Sequence, residues 1–271
     1  MSSVDPRPLG VFDSGVGGLT VLRALRARLP SESTVYLGDT ARVPYGTKSA
    51  QVVTRYAQLN AAFLTSLDVK LLVVACNTAS AVALPALRST LGVPVVGVIE
   101  PGARMAAART RSGVVGVLGT PGTIRSGAYQ RALEAERPGL TVHAQACPLF
   151  VPLAEEGWLS GDVPRLVARR YLQPLLDTGM DTLVLGCTHY PLLREVLQEV
   201  LGPSVSLVDS GDATAEAVAA VLATGAAQPA GPGRRQERFY VTDVPERFVE
   251  VSERFLGTPV ASAEQVDLSV G

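Results

Sequence analysis

The feature that most constrains this chain is an alternation that runs through it twice. Short apolar runs end in Gly-rich or polar turns, and stretches with apolar residues at helical spacing follow them. Pro8 to Phe12 reads as a strand, followed by the turn Asp13-Ser14-Gly15-Val16-Gly17-Gly18. Leu19, Leu22, Leu25 and Leu29 then recur on one helix face. Further strands are predicted over 34–37, 70–75 and 94–99. The pattern restarts with strands over 113–118, 141–146, 181–185 and 205–208. Strand, turn and helix in repetition imply a parallel sheet wound on both faces. Hydrophobic residues make up 47% of the chain but aromatics only 5%, so the core is aliphatic, as suits buried parallel strands under helices.

The two halves match each other. Gly10-Val11-Phe12-Asp13-Ser14-Gly15 resembles Gly116-Val117-Leu118-Gly119-Thr120-Pro121. Leu72-Val73-Val74-Ala75-Cys76-Asn77-Thr78 resembles Leu183-Val184-Leu185-Gly186-Cys187-Thr188-His189, and Val43-Pro44 has a counterpart in Val151-Pro152. The offset is nearly constant, which points to an internal duplication, although unrelated apolar strands also look alike. The expected fold is α/β: two pseudo-symmetric lobes, each a mostly parallel sheet flanked by helices, with the active site in the cleft between them. The first lobe is expected over 1–98, completed by 209–271, and the second over 99–208. Residues 225–237 read as a Gly/Pro/Ala-rich linker. Beyond it, Phe239-Tyr240-Val241 is strand-like. Pro245 opens a helix that places Phe248, Val251 and Phe255 on one face. This pair is expected to cap the first lobe, though the sequence does not say where it packs.

Several classes are disfavoured. With 24 basic against 25 acidic residues, no surplus advertises nucleic acid. Residues 1–10 hold Asp5, Pro6 and Pro8 and no apolar stretch, so they are not a secretory signal. The run Leu71 to Cys76 is too short to span a bilayer. A cytoplasmic protein is expected, with Cys76, Cys147 and Cys187 as thiols. There is no CxxC pair to suggest zinc or iron–sulfur. The Gly-rich turn is not a dinucleotide fingerprint, because Thr20 stands where glycine is needed. Gly46-Thr47-Lys48-Ser49 lacks the glycine that directly precedes a P-loop lysine. No cofactor and no metal are expected.

Cys76 and Cys187 each follow a buried strand and precede a polar pair, Asn77-Thr78 and Thr188-His189. Ligands of open α/β sheets bind outside the carboxyl ends of the strands. Two facing copies would bring these thiols to opposite walls of one cleft. Stereoinversion at a carbon needs that arrangement: one thiolate removes a proton from one face, and the other thiol supplies one to the opposite face. An unperturbed thiol pKa of about 8.5 makes either state accessible. A single free cysteine is more often a small core hydrophobe, and Cys147, followed by Pro148-Leu149-Phe150, reads that way. A disulfide between Cys76 and Cys187 is disfavoured by compartment, and Cys187 with His189 lacks further metal ligands. The thiolate is the reactive form and needs support. Asp13 and Asp39 in the first half and His189 in the second offer it, with Asp13 the expected partner of Cys76 and His189 of Cys187. His143 lies inside a strand and reads as structural. Backbone N–H groups of the loops suit a carboxylate. Ser14, Tyr45, Asn77, Thr78 and Thr188 add neutral donors, and Asp13 and Asp39 can hold an ammonium. The set fits a zwitterionic amino acid better than a phosphate. A two-lobed amino-acid receptor with inert thiols is the competing class.

Five pieces together resemble the bacterial glutamate racemases of the aspartate/glutamate racemase superfamily. They are Phe12-Asp13-Ser14-Gly15-Val16-Gly17-Gly18, Pro44-Tyr45-Gly46, Ala75-Cys76-Asn77-Thr78-Ala79, Pro152-Leu153-Ala154-Glu155-Glu156-Gly157 and Gly186-Cys187-Thr188-His189-Tyr190-Pro191. The likeness runs from about Pro8 to Leu256. It implies interconversion of L- and D-glutamate without pyridoxal phosphate or metal, supplying D-glutamate for peptidoglycan. It implies substrate contacts from Asp13, Ser14, Pro44, Tyr45, Gly46, Asn77, Thr78, Thr120, Thr188 and His189, with Asp39 and Glu155 assisting the thiols. Glu156 competes with Glu155 for that role. The thiol matching Cys76 is expected to take the proton from D-glutamate, and that matching Cys187 from L-glutamate. A homodimer is among the expectations; a membrane or nucleic-acid partner is not. A racemase for aspartate or another amino acid, and a superfamily decarboxylase keeping one cysteine, are the alternatives within the superfamily.

Overall fold

In the computed structural model, which describes residues 4–225, 230 and 235–268, the first apolar runs form strands in the predicted places. The order is β1 (Leu9–Asp13), α1 (Leu19–Arg28), β2 (Thr34–Gly38), α2 (Ala50–Ser66), β3 (Leu71–Val74), α3 (Asn77–Thr90), β4 (Val95–Gly97) and α4 (Ile99–Arg109). The second half follows with β5 (Val114–Gly119), α5 (Pro121–Ser126), α6 (Ala128–Glu136), β6 (Thr141–Ala146), α7 (Phe150–Glu155), α8 (Asp162–Leu176), β7 (Thr182–Gly186), α9 (Arg194–Leu201), β8 (Ser206–Asp209) and α10 (Ser210–Ala223). The C-terminal segment adds β9 (Glu237–Val241), α11 (Pro245–Leu256) and the short β10 (Glu264–Gln265). The strand expected over 94–99 stops at Gly97, and Ile99 opens α4, whose first turn carries Glu100 against the positive helix end. Of the expected linker, residues 226–229 and 231–234 lie outside the described residues.

Two sheets result. One runs β10-β9-β2-β1-β3-β4, the other β6-β5-β7-β8, and every pairing in both is parallel. The order β2-β1-β3-β4 recurs as β6-β5-β7-β8, so the matching halves of the sequence fold with the same winding. The expected α/β class with two helix-flanked parallel sheets is the observed one. Tyr36 of β2 lies opposite Phe239 of β9 in register, which seats β9 beside β2 with the short β10 outside it at the edge of the first sheet.

Strand side chains alternate between faces, and the alternation assigns the cores. Val11 and Val73 in the first sheet, with Val117 and Val184 in the second, belong to one apolar cluster shared by both sheets. Leu22, Ala103, Val218 and Phe255, from α1, α4, α10 and α11, complete it. The opposite parity, Phe12, Leu72 and Val74, packs under α2 and α3. Leu118, Leu183 and Leu185 pack with α8 and α9. At the floor of the first sheet a buried ion pair joins Lys70 Nζ to Glu32 Oε2 at 2.7 Å, and Lys70 also donates to the Asp5 carbonyl at 2.9 Å.

Candidate active site

In each sheet the winding reverses beside the first strand, so the carboxyl ends of β1 and β3, and of β5 and β7, open a crevice. Cys76 stands at the N-terminus of α3, just past β3, and Cys187 directly follows β7. Both line one cleft of about 340 Å³ between the two sheets, the size of a small amino acid with its waters. Ser14, Pro44, Tyr45, Gly46, Asn77, Thr78, Thr120, Glu155, Thr188 and His189 line it as well. Asp13 and Asp39 do not. Both are fully buried one layer behind the wall.

The Cys187 wall is built around an imidazole. Cys187 Sγ lies 3.8 Å from His189 Nδ1, and His189 Nε2 lies 2.9 Å from Glu155 Oε1. Burial alone would push the imidazolium down; hydrogen bonds that it donates to Cys187 and Glu155 more than offset it and hold its pKa at about 10. Burial likewise raises Glu155, but its bond to His189 wins and holds it below the usual carboxylate value. Glu155 sits at the end of α7, and Glu156 instead faces Arg247 at 3.5 Å on the surface. The C-terminal helix α11 backs this wall. Phe255 stands edge-on to His189 with ring centroids 5.2 Å apart, and Arg254 donates to the Glu155 carbonyl.

The Gly-rich turn after β1 meets the same wall. A Cβ on Gly17 would lie 2.3 Å from Thr188 Oγ1 and 2.4 Å from His189 Nδ1, so only glycine allows this approach. Thr20 Oγ1 donates to the Thr188 carbonyl at 2.9 Å across the two lobes.

The Cys76 wall has no imidazole. Cys76 Sγ donates to Ser14 Oγ at 3.6 Å. Burial, then the nearby Asp13 carboxylate, pushes the Cys76 thiol up to about 12, against the opposing pull of the Ala79 amide and Ser14. Burial also raises Asp13, whose Oδ2 accepts from the Gly15 amide at 2.9 Å while Oδ1 has no hydrogen-bond partner among the described residues. Asp39 is held by Tyr45 Oη, Arg42 Nε at 2.8 Å and Thr242 Oγ1 at 3.0 Å. Its contact with the cleft runs through the Tyr45 ring.

Two further groups were not singled out by the sequence. Thr123 joins Thr78 and Thr120 in a hydroxyl trio spanning the lobes, with Oγ1 separations of 2.9 to 3.2 Å. Its only signal was its place three residues after the N-cap Thr120, whose side chain accepts from the Thr123 amide. Tyr129 in α6 donates to Asn77 Oδ1 at 2.7 Å. Cys147 is fully buried among Phe150, Leu153 and Leu172 and does not line the cleft. Among the described residues, no group of three or more His, Cys, Asp or Glu is placed to hold a metal, and no helix is long and apolar enough to cross a membrane.

Fold and site together define a class: a duplicated parallel α/β protein with one thiol on each wall of its inter-lobe cleft, the layout of a two-base racemase. The family described as Asp/Glu/Hydantoin racemase matches residues 19–218. The glutamate racemase of Geobacter metallireducens is 57% identical over 262 residues, 97% of each chain. The crystal structure of glutamate racemase from Francisella tularensis in complex with D-glutamate superposes with a TM-score of 0.91 at 39% identity, over 98% of this chain and 99% of that one. That from Thermus thermophilus in complex with beta-chloro-D-alanine gives 0.87 at 48%, with the same coverage. This chain belongs to the glutamate racemase family.

Proposed function

We propose that this protein interconverts L- and D-glutamate by proton transfer at the α-carbon between Cys187 and Cys76, supplying D-glutamate for peptidoglycan synthesis. The observation that carries the reading is the unlike surroundings of two thiols that share one cleft. Cys187 has a cationic imidazole beside it, which suits a thiolate that takes the α-proton of L-glutamate. Cys76, pushed up by burial, keeps its proton and donates it to the opposite face. D-glutamate runs the same path backwards, with Cys76 as the base. Glu155 positions His189, and the buried Asp13 is the neighbour of Cys76.

Neutral groups hold the substrate. Ser14, Asn77, Thr78, Thr120 and Thr188, with the loop Pro44-Tyr45-Gly46, present hydroxyl, amide and backbone groups to its carboxylates. Asp13, one layer behind the wall, favours the ammonium through its charge rather than by direct contact. Asp39 fixes the Tyr45 hydroxyl. The lobes of this reading are 1–98 with 209–271, and 99–208, a division supported by β9 joining the first sheet and α10 packing on α1. A cytoplasmic homodimer is the form this reading carries, to be tested by light scattering and fractionation.

The test is racemisation in heavy water without pyridoxal phosphate or added metal. The expected result is solvent deuterium at the α-carbon of the product enantiomer but not of the recovered substrate, because each thiol serves one face. Glutamate binding without α-exchange would instead make the protein a receptor. Faster turnover of aspartate would move it to another substrate of the same superfamily.

A further inference from the structure

Tyr129 lies outside the cleft, yet it is placed to control how the cleft presents one of its donors. The residue is 1% exposed, and its ring fills space that two glycines leave open. A Cβ on Gly186, the residue before Cys187, would stand 2.9 Å from its Cε2, and one on Gly102 would stand 3.5 Å from its hydroxyl. The hydroxyl crosses from the second lobe to donate to Asn77 Oδ1 at 2.7 Å. Ser210 Oγ donates to the Leu185 carbonyl at 3.4 Å. Turning the Asn77 amide over would replace the acceptor of this hydroxyl with an N–H. Burial, with the charges of Cys187 and Asp209, pushes the phenol far above its ordinary value, so the phenolic proton stays in place.

Asn77 lines the cleft, and its Nδ2 is buried with no hydrogen-bond partner among the described residues. A primary amide has two ends of similar shape and opposite hydrogen-bonding sense. Turned one way it offers a substrate carboxylate two N–H donors; turned the other way it offers a repelling carbonyl. The contact with Tyr129 removes that freedom. On the racemase reading above, we propose that Tyr129 is a positioning residue that locks the Asn77 amide with its NH2 toward the cleft, fixing a donor for a substrate carboxylate.

Tyr129→Phe keeps the ring and deletes only the lock. KM should rise about 5- to 30-fold for both enantiomers, the range expected for losing a buried hydrogen bond and freeing the amide, with kcat within about twofold. In an Asn77→Ala background the same substitution should change KM by less than about twofold, because the group it acts through is gone. A second readout needs no substrate: the Asn77 side-chain NH2 resonances of 15N-labelled protein should shift or broaden in Tyr129→Phe. Unchanged KM, the same factor in both backgrounds, or unaltered Asn77 resonances would each overturn the proposal. If the parent protein fails to racemise glutamate, the functional reading falls, and the ligand-free resonances still decide the role of Tyr129.

Discussion

Gly17→Ala is the sharpest test of how the Gly-rich turn and the His189 wall fit together. The added methyl would stand 2.3 Å from Thr188 Oγ1 and 2.4 Å from His189 Nδ1, against an ordinary contact of about 3.5 Å. One side must therefore give way by about 1 Å. The imidazole cannot retreat freely, because Phe255 stands edge-on to it and Glu155 holds Nε2 at 2.9 Å. The Cys187 to His189 separation, 3.8 Å in the parent, opens further, or the turn carrying Ser14 shifts off the cleft. A misplacement of about 1 Å costs about 10²-fold in rate. The control is Gly15→Ala, whose Cβ meets only Val43 Cγ1 at 3.2 Å, the end of a half-exposed side chain. It should stay within about threefold of the parent. The assay is polarimetry from each pure enantiomer. The equilibrium constant between enantiomers is one, so kcat/KM must fall equally in both directions. The directional information lies in the α-deuterium isotope effect, which should rise for L-glutamate, where Cys187 breaks the C–D bond, more than for D-glutamate. Gly17→Ala within threefold of the parent at unchanged Tm, or equal damage in the two alanine variants, would refute the reasoning.

Other substitutions probe the surroundings. Cys147→Ser should leave turnover unchanged and cost about 1 kcal/mol of stability in thermal melts, since this thiol is core and not cleft. Glu155→Gln should lower kcat and remove a pH-dependent part of stability. The folded pKa of His189, about 10, lies above its ordinary 6.5, so that part is complete below about pH 6.5 and fades as pH rises toward 10. The depressed Glu155 preserves it down to about pH 4.5. The gap between parent and variant melts should thus be widest between those values; with Glu155 40% exposed, it should amount to about 1 kcal/mol or less. Lys70→Met strands the Glu32 carboxylate in the floor of the first sheet and should cost about 3–5 kcal/mol by urea unfolding, with Glu32→Gln in the same chain recovering much of it.

The central parallel strands β1, β3, β5 and β7 were legible because each is a largely apolar run closed by a turn, and such runs leave little choice of partner face. The duplication was legible for the same reason, since matching strands ended in matching Cys-polar pairs. The position of β9 was not: joining the edge beside β2 depends on backbone pairing that any strand-like segment satisfies. Glu155 and Glu156 were indistinguishable in sequence, and the turn at the end of α7 separates them, one toward His189 and one toward Arg247. Asp39 looked like a cleft residue, but Tyr45 stands between it and the space a substrate fills. Tyr129 gave no sign, because Tyr129 and Leu133 repeat at the spacing of an ordinary core face, and only the folded chain brings its hydroxyl to a residue 52 positions away.

The repeated strand order carries a consequence about handedness. The two enantiomers of glutamate are mirror images, but a chain of L-residues contains no mirror plane. What duplication supplies is a rotation: an operation that carries β2-β1-β3-β4 onto β6-β5-β7-β8 can also exchange the two faces of a flattened carbon lying near its axis. A deprotonated α-carbon is such a flattened centre, and a rotation presents it with a thiol on either side. The imitation of a mirror stops at the thiols. His189 has no imidazole partner beside Cys76, so the site treats the two faces alike in outcome while reaching them by unlike chemistry.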